Sequence, residues 1–379
     1  MLTLITVSLL GLLGALIGSF ANVVIYRVPR GESIAFPGSH CPNCERPLTA
    51  LDLVPIFSWL ALRGRCRGCN EGIALRYPLI EAITALGFVL IALRFPIDQY
   101  GPTAFVLAAI YAMLVMMSAI DIDEYILPDS LTLPAVAVGL LGSFFYATPG
   151  GLPSLQAALF GGALGAGIIV LINRLGALVL RRFADTKERL FPVGLDQVNV
   201  AFVGGALGGW IIGLVLATAS VVVNLITRRT LRFSEPLLYG LWVLALGAGS
   251  FYLGIGSLSG SLAAAGSVAV LGAVYWWVLE LLGKAPDEEG VLNEEDDEPV
   301  AMGFGDVKLA AVLGVMLGWQ NLLVALLLSF FVGAIGGLTL KAFGGGRVVP
   351  FGPYLAIGGL IALFYGDALL GWYLGMLGV

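Results

Sequence analysis

Residues 303–341, GFGDVKLAAVLGVMLGWQNLLVALLLSFFVGAIGGLTLK, form a long apolar run that opens with an acid, Asp306, and a base, Lys308. A helix needs about 20 apolar residues to cross the hydrocarbon core of a bilayer, and this run is longer than one crossing requires. Gly318 and Trp319 interrupt it. The pattern predicts a membrane helix that breaks there into a short first leg and a second pass.

The whole chain has the composition of a membrane protein. Of its 379 residues, 59% are hydrophobic and 12% are charged, whereas soluble domains carry roughly 25% charged residues. Because lipid cannot satisfy backbone polar groups, the long glycine-rich runs favour helices. We expect an all-α polytopic membrane protein of about 8–12 transmembrane passes. The apolar runs lie near residues 4–26, 79–97, 103–120, 131–147, 155–180, 198–227, 236–256, 262–283, 307–341 and 353–377.

The basic residues predict the orientation in the membrane. Arg27 and Arg30 follow the first apolar run and no basic residue precedes it. This favours an uncleaved anchor with its N-terminus outside over a signal peptide. With about twelve passes, every Lys and Arg except Arg94 then lies on the cytoplasmic side, as the positive-inside rule requires.

All four cysteines lie in one predicted cytoplasmic loop, as two C-x-x-C pairs separated by about 21 residues, which is the pattern of a tetrathiolate zinc ribbon. Two disulfides are the alternative, which a reducing cytoplasm disfavours. Four thiolates leave no open position for water, so we expect structural Zn²⁺ that holds a small cytoplasmic zinc-ribbon insertion together. His40, the only histidine, is expected to be a solvated loop residue. The predicted ligands are Cys41, Cys44, Cys66 and Cys69.

Two groups of acids lie at predicted membrane boundaries, where ionisable groups are candidates for function. Structural alternatives exist for each of them. Asp129 has the position of an N-cap of the next helix. Asp306 has the position of a cap of its own helix, and Asp123 and Glu124 have those of solvated loop acids. The first group is Asp121, Asp123, Glu124 and Asp129, and the second is Asp306.

The functional interpretation of these acids is a carboxylate pair. Two acids brought close together cannot both ionise. The ionised one can then draw a proton from water while the protonated one polarises a peptide carbonyl. Gly303 and Gly305 would let a substrate backbone approach closely. Lys308 either pairs with a nearby acid or extends to the membrane interface.

Six motifs follow one another along the chain: GSFANVVIYRVPRGES (18–33), the two C-x-x-C pairs, RYPLIEAITAL (76–86), DIDEYILPD (121–129), GFGDVKLAAVLG (303–314) and PFGPYLAIGG (350–359). In these motifs the chain resembles the type IV prepilin peptidases, also called leader peptidases, which are membrane aspartic proteases of bacteria. The family's two catalytic aspartates fall in a D-x6-P-D/N segment and in G-x-G-D. Transferred by motif, they are Asp121 and Asp306, with Asp123 as the main alternative for the first.

The resemblance implies a location, a substrate and a second activity. Such enzymes reside in the bacterial inner membrane and cut the basic leader of type IV prepilins and pseudopilins at the cytoplasmic face, after a glycine. Many then methylate the new N-terminus with S-adenosylmethionine, an activity associated with the zinc-bearing loop. The expected partners are therefore prepilins or pseudopilins and the lipid bilayer, and not nucleic acid.

Three other functions remain open at this point. One is a peptidase without methyl transfer, and another is an inactive scaffold of a pilus or secretion assembly. A transporter is disfavoured because the acids cluster at the cytoplasmic boundary, whereas transport sites usually lie at mid-membrane.

A second stretch, VGLDQVNVAFVGGALGGW (193–210), resembles residues 302–319. Aligning the two terminal tryptophans puts Gln197 on Asp306 and Asn199 on Lys308. We hypothesise a tandem duplication of a helix unit about 108 residues long, with the catalytic acid only in the second copy. Chance similarity of Gly/Ala-rich helices is the alternative, and Asp196 is the fallback acid.

These features divide the chain into six expected segments. An acidic tract, PDEEGVLNEEDDEP (286–299), is expected to be a solvated linker, with attraction of the basic leader as a further hypothesis. The segments are a first transmembrane helix (1–27), a cytoplasmic zinc-binding domain (28–77), transmembrane helices ending in the first catalytic aspartate (78–130), transmembrane helices including the acid-less repeat (131–283), an acidic cytoplasmic loop (284–302) and transmembrane helices with the G-x-G-D motif (303–379).

Overall fold

The computed structural model describes residues 2–179, 192–231, 234–248, 257–284, 303–342 and 349–378. Within these ranges the chain forms helices and no β-strand, and nine helices are long and apolar enough to cross a membrane. This confirms the all-α polytopic fold. The helices are α1 (Leu2–Arg27), α2 (Phe57–Ala61), α3 (Arg76–Arg94), α4 (Ile97–Tyr100), α5 (Thr103–Glu124), α6 (Asp129–Tyr146), α7 (Leu155–Val179), α8 (Leu195–Thr227), α9 (Glu235–Ala248), α10 (Leu258–Leu281), α11 (Phe304–Ala342) and α12 (Gly352–Leu377). The predicted acidic tract 286–299 lies outside the described residues.

The helices form two compact units, of which the first comprises Met1–Leu155 and Ala325–Val379. In this unit α1 packs closely against α3. A Cβ added to Gly18 would lie 2.7 Å from the Cα of Glu81, and one added to Gly14 would lie 2.9 Å from the Cα of Ala85. Small residues of this kind let membrane helices approach until their backbones touch.

The second unit, Gln156–Val324, is built in the same way. Helix α7 contacts the first part of α11, where a Cβ on Gly165 would lie 2.6 Å from the carbonyl oxygen of Ala310. It also contacts α10, where a Cβ on Gly266 would lie 2.5 Å from the backbone nitrogen of Gly167. Glycine therefore sets the helix spacing in both units.

Two long helices of the chain break at corresponding places. Helix α8 leaves the helical conformation at Gly209, with φ 80°, and α11 does so at Gly318, with φ 71°. Both angles lie in the left-handed region that favours glycine. The break predicted at Gly318 and Trp319 is confirmed, and α8 breaks in the same way at its own Gly-Trp pair, Gly209 and Trp210. A neighbouring glycine covers each break: a Cβ on Gly161 would lie 3.0 Å from the carbonyl carbon of Gly318, and one on Gly260 would lie 2.9 Å from the Cα of Gly209.

Candidate active site and metal centre

Asp121 lies in the last turn of α5 and is buried. Its carboxylate Oδ2 accepts a hydrogen bond of 2.8 Å from the backbone N–H of Gly352, the first residue of α12. The first N–H groups of a helix have no partner within the helix, so they are suited to bind a carboxylate. Asp121 is thus held by an element that lies 231 positions away in sequence.

Asp123 and Glu124, the next two acids after Asp121, lie in a helix, and each forms an ion pair. Both belong to the last turn of α5, which ends at Tyr125 in the left-handed conformation. Asp123 pairs with Arg76 at the start of α3, and the Glu124 carboxylate lies 3.0 Å from the guanidinium of Arg30. Both acids are exposed, as expected of solvated residues, but the prediction that they lie in a loop was wrong, because the helix extends to Glu124.

These two ion pairs connect the cysteine-bearing loop to the end of α5. Arg30 precedes the loop and Arg76 follows it, so both ends of the loop are tied next to Asp121. The side chains are each one-third to two-fifths exposed. Exposed pairs contribute at most about 1 kcal/mol each. Their main effect is therefore on the placement of the loop ends.

The predicted N-cap role of Asp129 was wrong by one residue. The N-cap position belongs to Pro128, whose ψ of 137° is extended, and Asp129 is the first helical residue of α6. An acid in the first turn still interacts favourably with the helix dipole. Asp129 therefore has a structural place at the start of a helix.

Asp306 lies in the first turn of α11 and is buried. Its carboxylate Oδ2 accepts a hydrogen bond of 3.2 Å from the backbone N–H of Gly303, which is exposed. Gly305 lies between them in the same turn and is half-buried. Lys308 is buried as well, with its Nζ 5.7 Å from the ring centroid of Phe304. The turn thus combines an acid and a base with glycine backbone open to approach.

Gln197 reproduces the contact of Asp306 in the similar stretch. Its side-chain Oε1 accepts a hydrogen bond of 2.9 Å from the backbone N–H of Gly194, three residues before it. Asp306 accepts from Gly303 at the same spacing. Gln197 also donates to the hydroxyl of Ser220 at 3.3 Å. A neutral amide at the third position of α8 therefore accepts from the backbone N–H that precedes the helix, as the acid at the third position of α11 does.

The four cysteines come together in the loop between α1 and α3. Their sulfur atoms all lie within 4.8 Å of one another, so they could hold a metal ion. Each C-x-x-C pair has the same turn: the N–H of Cys41 donates to the carbonyl of Arg46, and that of Cys66 to the carbonyl of Glu71. His40 is exposed and does not belong to this group, as expected.

This arrangement fits the zinc predicted from the sequence. Four thiolates at such separations match a tetrahedral shell, which is the geometry of structural zinc sites. The backbone N–H groups of Cys69 and Gly68 lower the pKa of the Cys66 thiol to about 6. For the Cys44 thiol, the Arg46 backbone lowers the pKa, but desolvation and the three neighbouring thiols outweigh this effect and raise the pKa to about 11. A thiol with a lowered pKa supplies the deprotonated sulfur that a metal requires.

Asp52 holds the metal-binding loop together, and sequence reasoning missed it. The carboxylate accepts hydrogen bonds from the backbone N–H of Thr49 at 3.1 Å and from its hydroxyl at 2.8 Å. It is also 2.9 Å from the guanidinium of Arg46 and 2.9 Å from that of Arg67. Arg46 follows the first cysteine pair and Arg67 lies within the second. Asp52 therefore links the two halves of the metal centre.

These partners define the pH range in which Asp52 contributes. The hydrogen bonds from Thr49, followed by the charges of Arg46 and Arg67, lower the pKa of Asp52 to about 2. A carboxyl whose pKa is lowered on folding increases the free energy of unfolding at any pH above its unfolded pKa, which is about 4 for Asp. For Asp52 this contribution is lost as the pH falls from about 4 towards 2. Asp52 therefore stays ionised wherever the thiolates bind metal.

We expect Asp52→Asn to weaken metal retention about 10-fold, the effect of removing a residue that supports a metal site from outside its ligand shell. The loss should be the same at pH 6 and pH 8, because Asp52 does not titrate between them. Metal release to a competing chelator measures it. Glu45→Gln, which changes an exposed acid of the same loop, is the matched control and should release metal as the unaltered protein does.

Glu81 anchors the loop on α3, a second contact that the sequence did not reveal. This residue is buried, and its Oε2 accepts a hydrogen bond of 2.6 Å from the N–H of Ile56. Ile56 has φ 63° and ψ −53°, and the N–H of Phe57 donates to the carbonyl of Pro55 at 2.6 Å. This is a γ-turn of the strained kind, which persists only where the surroundings hold it. The carboxylate of Glu81 is one such constraint.

Together these features define a multi-pass membrane protein with buried acids at helix ends and a four-cysteine loop. The model of the type IV leader peptidase family matches residues 108–228 and again 214–338, and that of the bacterial peptidase A24 N-terminal domain matches residues 12–95. The chain belongs to the type IV leader peptidase family, and its resemblance to prepilin peptidases is confirmed.

Full-length relatives support the same assignment. The chain is 32% identical to a prepilin leader peptidase/N-methyltransferase of Aeromonas salmonicida (strain A449), over 97% of this chain and 93% of the relative. It is 28% identical to proteins of the same name from Stutzerimonas stutzeri and Pseudomonas aeruginosa, in each case over 96% of this chain and 91% of the relative. No solved structure matches the chain.

The double match of the family model bears on the similar stretches. The first match, residues 108–228, contains Asp121 and Gln197, and the second match, residues 214–338, contains Asp306. A tandem duplication would produce two overlapping matches of this kind. The duplication stays a hypothesis, now with corresponding caps and helix breaks in its favour.

Proposed function

We propose that this protein cuts the leader peptide of type IV prepilins or pseudopilins after a glycine, at the cytoplasmic face of the inner membrane, with Asp121 and Asp306 as its two catalytic carboxylates. Family membership and the names of the relatives support the reaction class. The positive-inside pattern supports the membrane face and an N-terminus outside. Asp123 is not needed as an acid in this proposal because Arg76 neutralises it.

The proposed chemistry needs one proton shared between the two carboxylates. The ionised carboxylate takes a proton from water while the protonated one donates a hydrogen bond to the scissile carbonyl oxygen. Water oxygen bonds to the carbonyl carbon, and a tetrahedral intermediate forms. The intermediate then breaks its C–N bond, and the departing amine takes a proton from a carboxyl group. The products are a shortened prepilin with a new N-terminus and the free leader.

The pair of caps on α8 and α11 carries this proposal. If Asp306 served only as a cap, glutamine would suffice, because Gln197 accepts the corresponding hydrogen bond on α8 at 2.9 Å. The acid at 306 therefore supplies something that a cap does not require. An ionisable group at this position is what the hydrolysis calls for.

The cysteine loop has a structural role in this proposal. Zn²⁺ bound by the four thiolates would hold residues 28–77 in their fold, and the closed ligand shell leaves it no part in hydrolysis. The names of the relatives indicate N-methyl transfer as a second activity, and we propose the new N-terminus of the cut prepilin as its acceptor. S-adenosylmethionine would supply the methyl group for that reaction.

We expect Asp121→Asn to lower the rate of prepilin cleavage at least about 1,000-fold, because the amide cannot exchange the proton that the pair shares. Purified protein, assayed on a prepilin with and without S-adenosylmethionine, measures both activities. Lys341→Gln, which alters an exposed charge at the end of α11, is the control and should cleave normally.

The outcomes separate the proposed functions. Full cleavage by Asp121→Asn would remove Asp121 from the chemistry. Cleavage without methyl incorporation in the unaltered protein would identify a peptidase that lacks methyl transfer. No cleavage by the unaltered protein would favour an inactive scaffold of a pilus or secretion assembly.

A further inference from the structure

The start of α12 makes a contact that the proposed chemistry has not used. The N–H of Gly352 donates to Oδ2 of Asp121 at 2.8 Å, and both residues are buried. The motif that contains this glycine, PFGPYLAIGG, contributes no acid or base to the site. Its contribution is a backbone donor directed at a carboxylate.

The contact leaves no room for a side chain at position 352. A Cβ there would lie 2.7 Å from Oδ2 of Asp121 and 3.2 Å from its Cγ. Real Cβ atoms essentially never approach to 2.7 Å, so any other residue would displace the carboxylate or the helix. Glycine is needed here for a close approach and not for an unusual backbone angle.

Aromatic packing fixes the place of this donor. Phe351, the residue before it, stacks on Phe330 of α11 with the ring centroids 5.4 Å apart. The N–H of Tyr354 donates to the carbonyl of Phe351 at 3.1 Å and closes the first turn of α12. The N–H of Gly352 is therefore part of a rigid corner.

We propose that Gly352 is a positioning residue for catalysis, whose backbone N–H and missing side chain set the orientation of the Asp121 carboxylate. This inference rests on the proposed role of Asp121. One carboxylate oxygen is bound by the helix end, which fixes the rotation of the group about its Cβ–Cγ bond. The other oxygen is thereby given a defined direction towards the reacting atoms.

Gly352→Ala tests the proposal. We expect kcat for prepilin cleavage to fall about 100-fold, because misplacing a catalytic group by about 1 Å costs that much. KM should stay within about threefold, because a misdirected carboxylate removes stabilisation of the transition state rather than of the bound substrate. Gly371→Ala, in the same helix but with nothing within 4 Å of its added Cβ, is the matched control and should retain kcat.

Two further variants separate the failure of this proposal from that of the proposed function. Cleavage by Asp121→Asn at the normal rate would overturn the role of Asp121 itself. Loss of cleavage in Asp121→Asn together with normal kcat in Gly352→Ala would overturn only the positioning role. A rise in KM with unchanged kcat in Gly352→Ala would do the same.

A comparison of thermal stability covers the case in which Gly352→Ala does not fold. Asp121→Ala removes the carboxylate that the new methyl group would meet, so the added Gly352→Ala should lower Tm less in that background than in the unaltered protein. The double variant should therefore fold even where the single one does not. An equal loss of Tm in both backgrounds, or failure of the double variant to fold, would overturn the proposal.

Discussion

Asp306→Gln is expected to abolish prepilin cleavage, at least about 1,000-fold, while the protein keeps its fold. The glutamine should accept the hydrogen bond of the Gly303 N–H, because Gln197 accepts the corresponding bond in α8. It cannot hold or release the shared proton. Cleavage of a prepilin and Tm in detergent, measured on the same preparation, test both halves of this expectation.

Gln197→Ala is the matched control for that experiment. It removes the side chain that accepts from the Gly194 N–H and donates to Ser220. Tm should therefore fall, by the effect of a lost hydrogen bond of about 1 kcal/mol. The rate of cleavage at a temperature below the transition should not change. Normal cleavage by Asp306→Gln would exclude Asp306 from the chemistry, and Asp196→Asn would then be the next variant to examine.

Cys66→Ser is expected to empty the metal centre and unfold the loop without unfolding the membrane helices. Structural zinc contributes about 10–16 kcal/mol to small metal domains, far more than the remaining contacts of a loop this size can replace. Metal content per chain, together with limited proteolysis, measures the effect. New cleavage sites should fall between residues 28 and 77.

His40→Ala is the control for the metal centre, since His40 lies next to Cys41 but outside the cluster. It should retain metal and the proteolytic pattern of the unaltered protein. Loss of metal in this variant would mean that the ligand set is wrong. A loop that stays resistant to protease in metal-free Cys66→Ser would show that Asp52 and Glu81 can hold it alone.

Several features of this protein were predictable because their cause is local in the sequence. The breaks of α8 and α11 follow from a glycine within an apolar run that is longer than one crossing. The metal cluster follows from two C-x-x-C pairs, since each pair forms a turn that presents two sulfurs together. The cap contacts of Gln197 and Asp306 lie three residues from their donors, which is within reach of a sequence comparison.

The features that were missed depend on contacts between distant parts of the chain. Asp121 and Gly352 lie far apart in sequence. Every residue except proline has a backbone N–H, so the sequence does not show which one will bind the carboxylate. Glu81 was visible as an acid in a membrane helix, but its partner is a backbone group of Ile56. Asp52 looks like any loop acid until the fold brings Arg46 and Arg67 to it.

The breaks at Gly209 and Gly318 free backbone N–H and C=O groups inside a membrane helix, where the dielectric constant is low. The leg of α11 before its break has a rise of about 21 Å, short of the roughly 30 Å of hydrocarbon. The peptide groups that lose their helical hydrogen bonds at the break would thus lie at a depth where water cannot solvate them. Each such group exposed to lipid would cost several kcal/mol. Gly161 and Gly260 close over these groups so tightly that even a methyl group would separate the two backbones. Each break is therefore covered on one side by a neighbouring backbone, which leaves Gly318 buried and Gly209 half-buried.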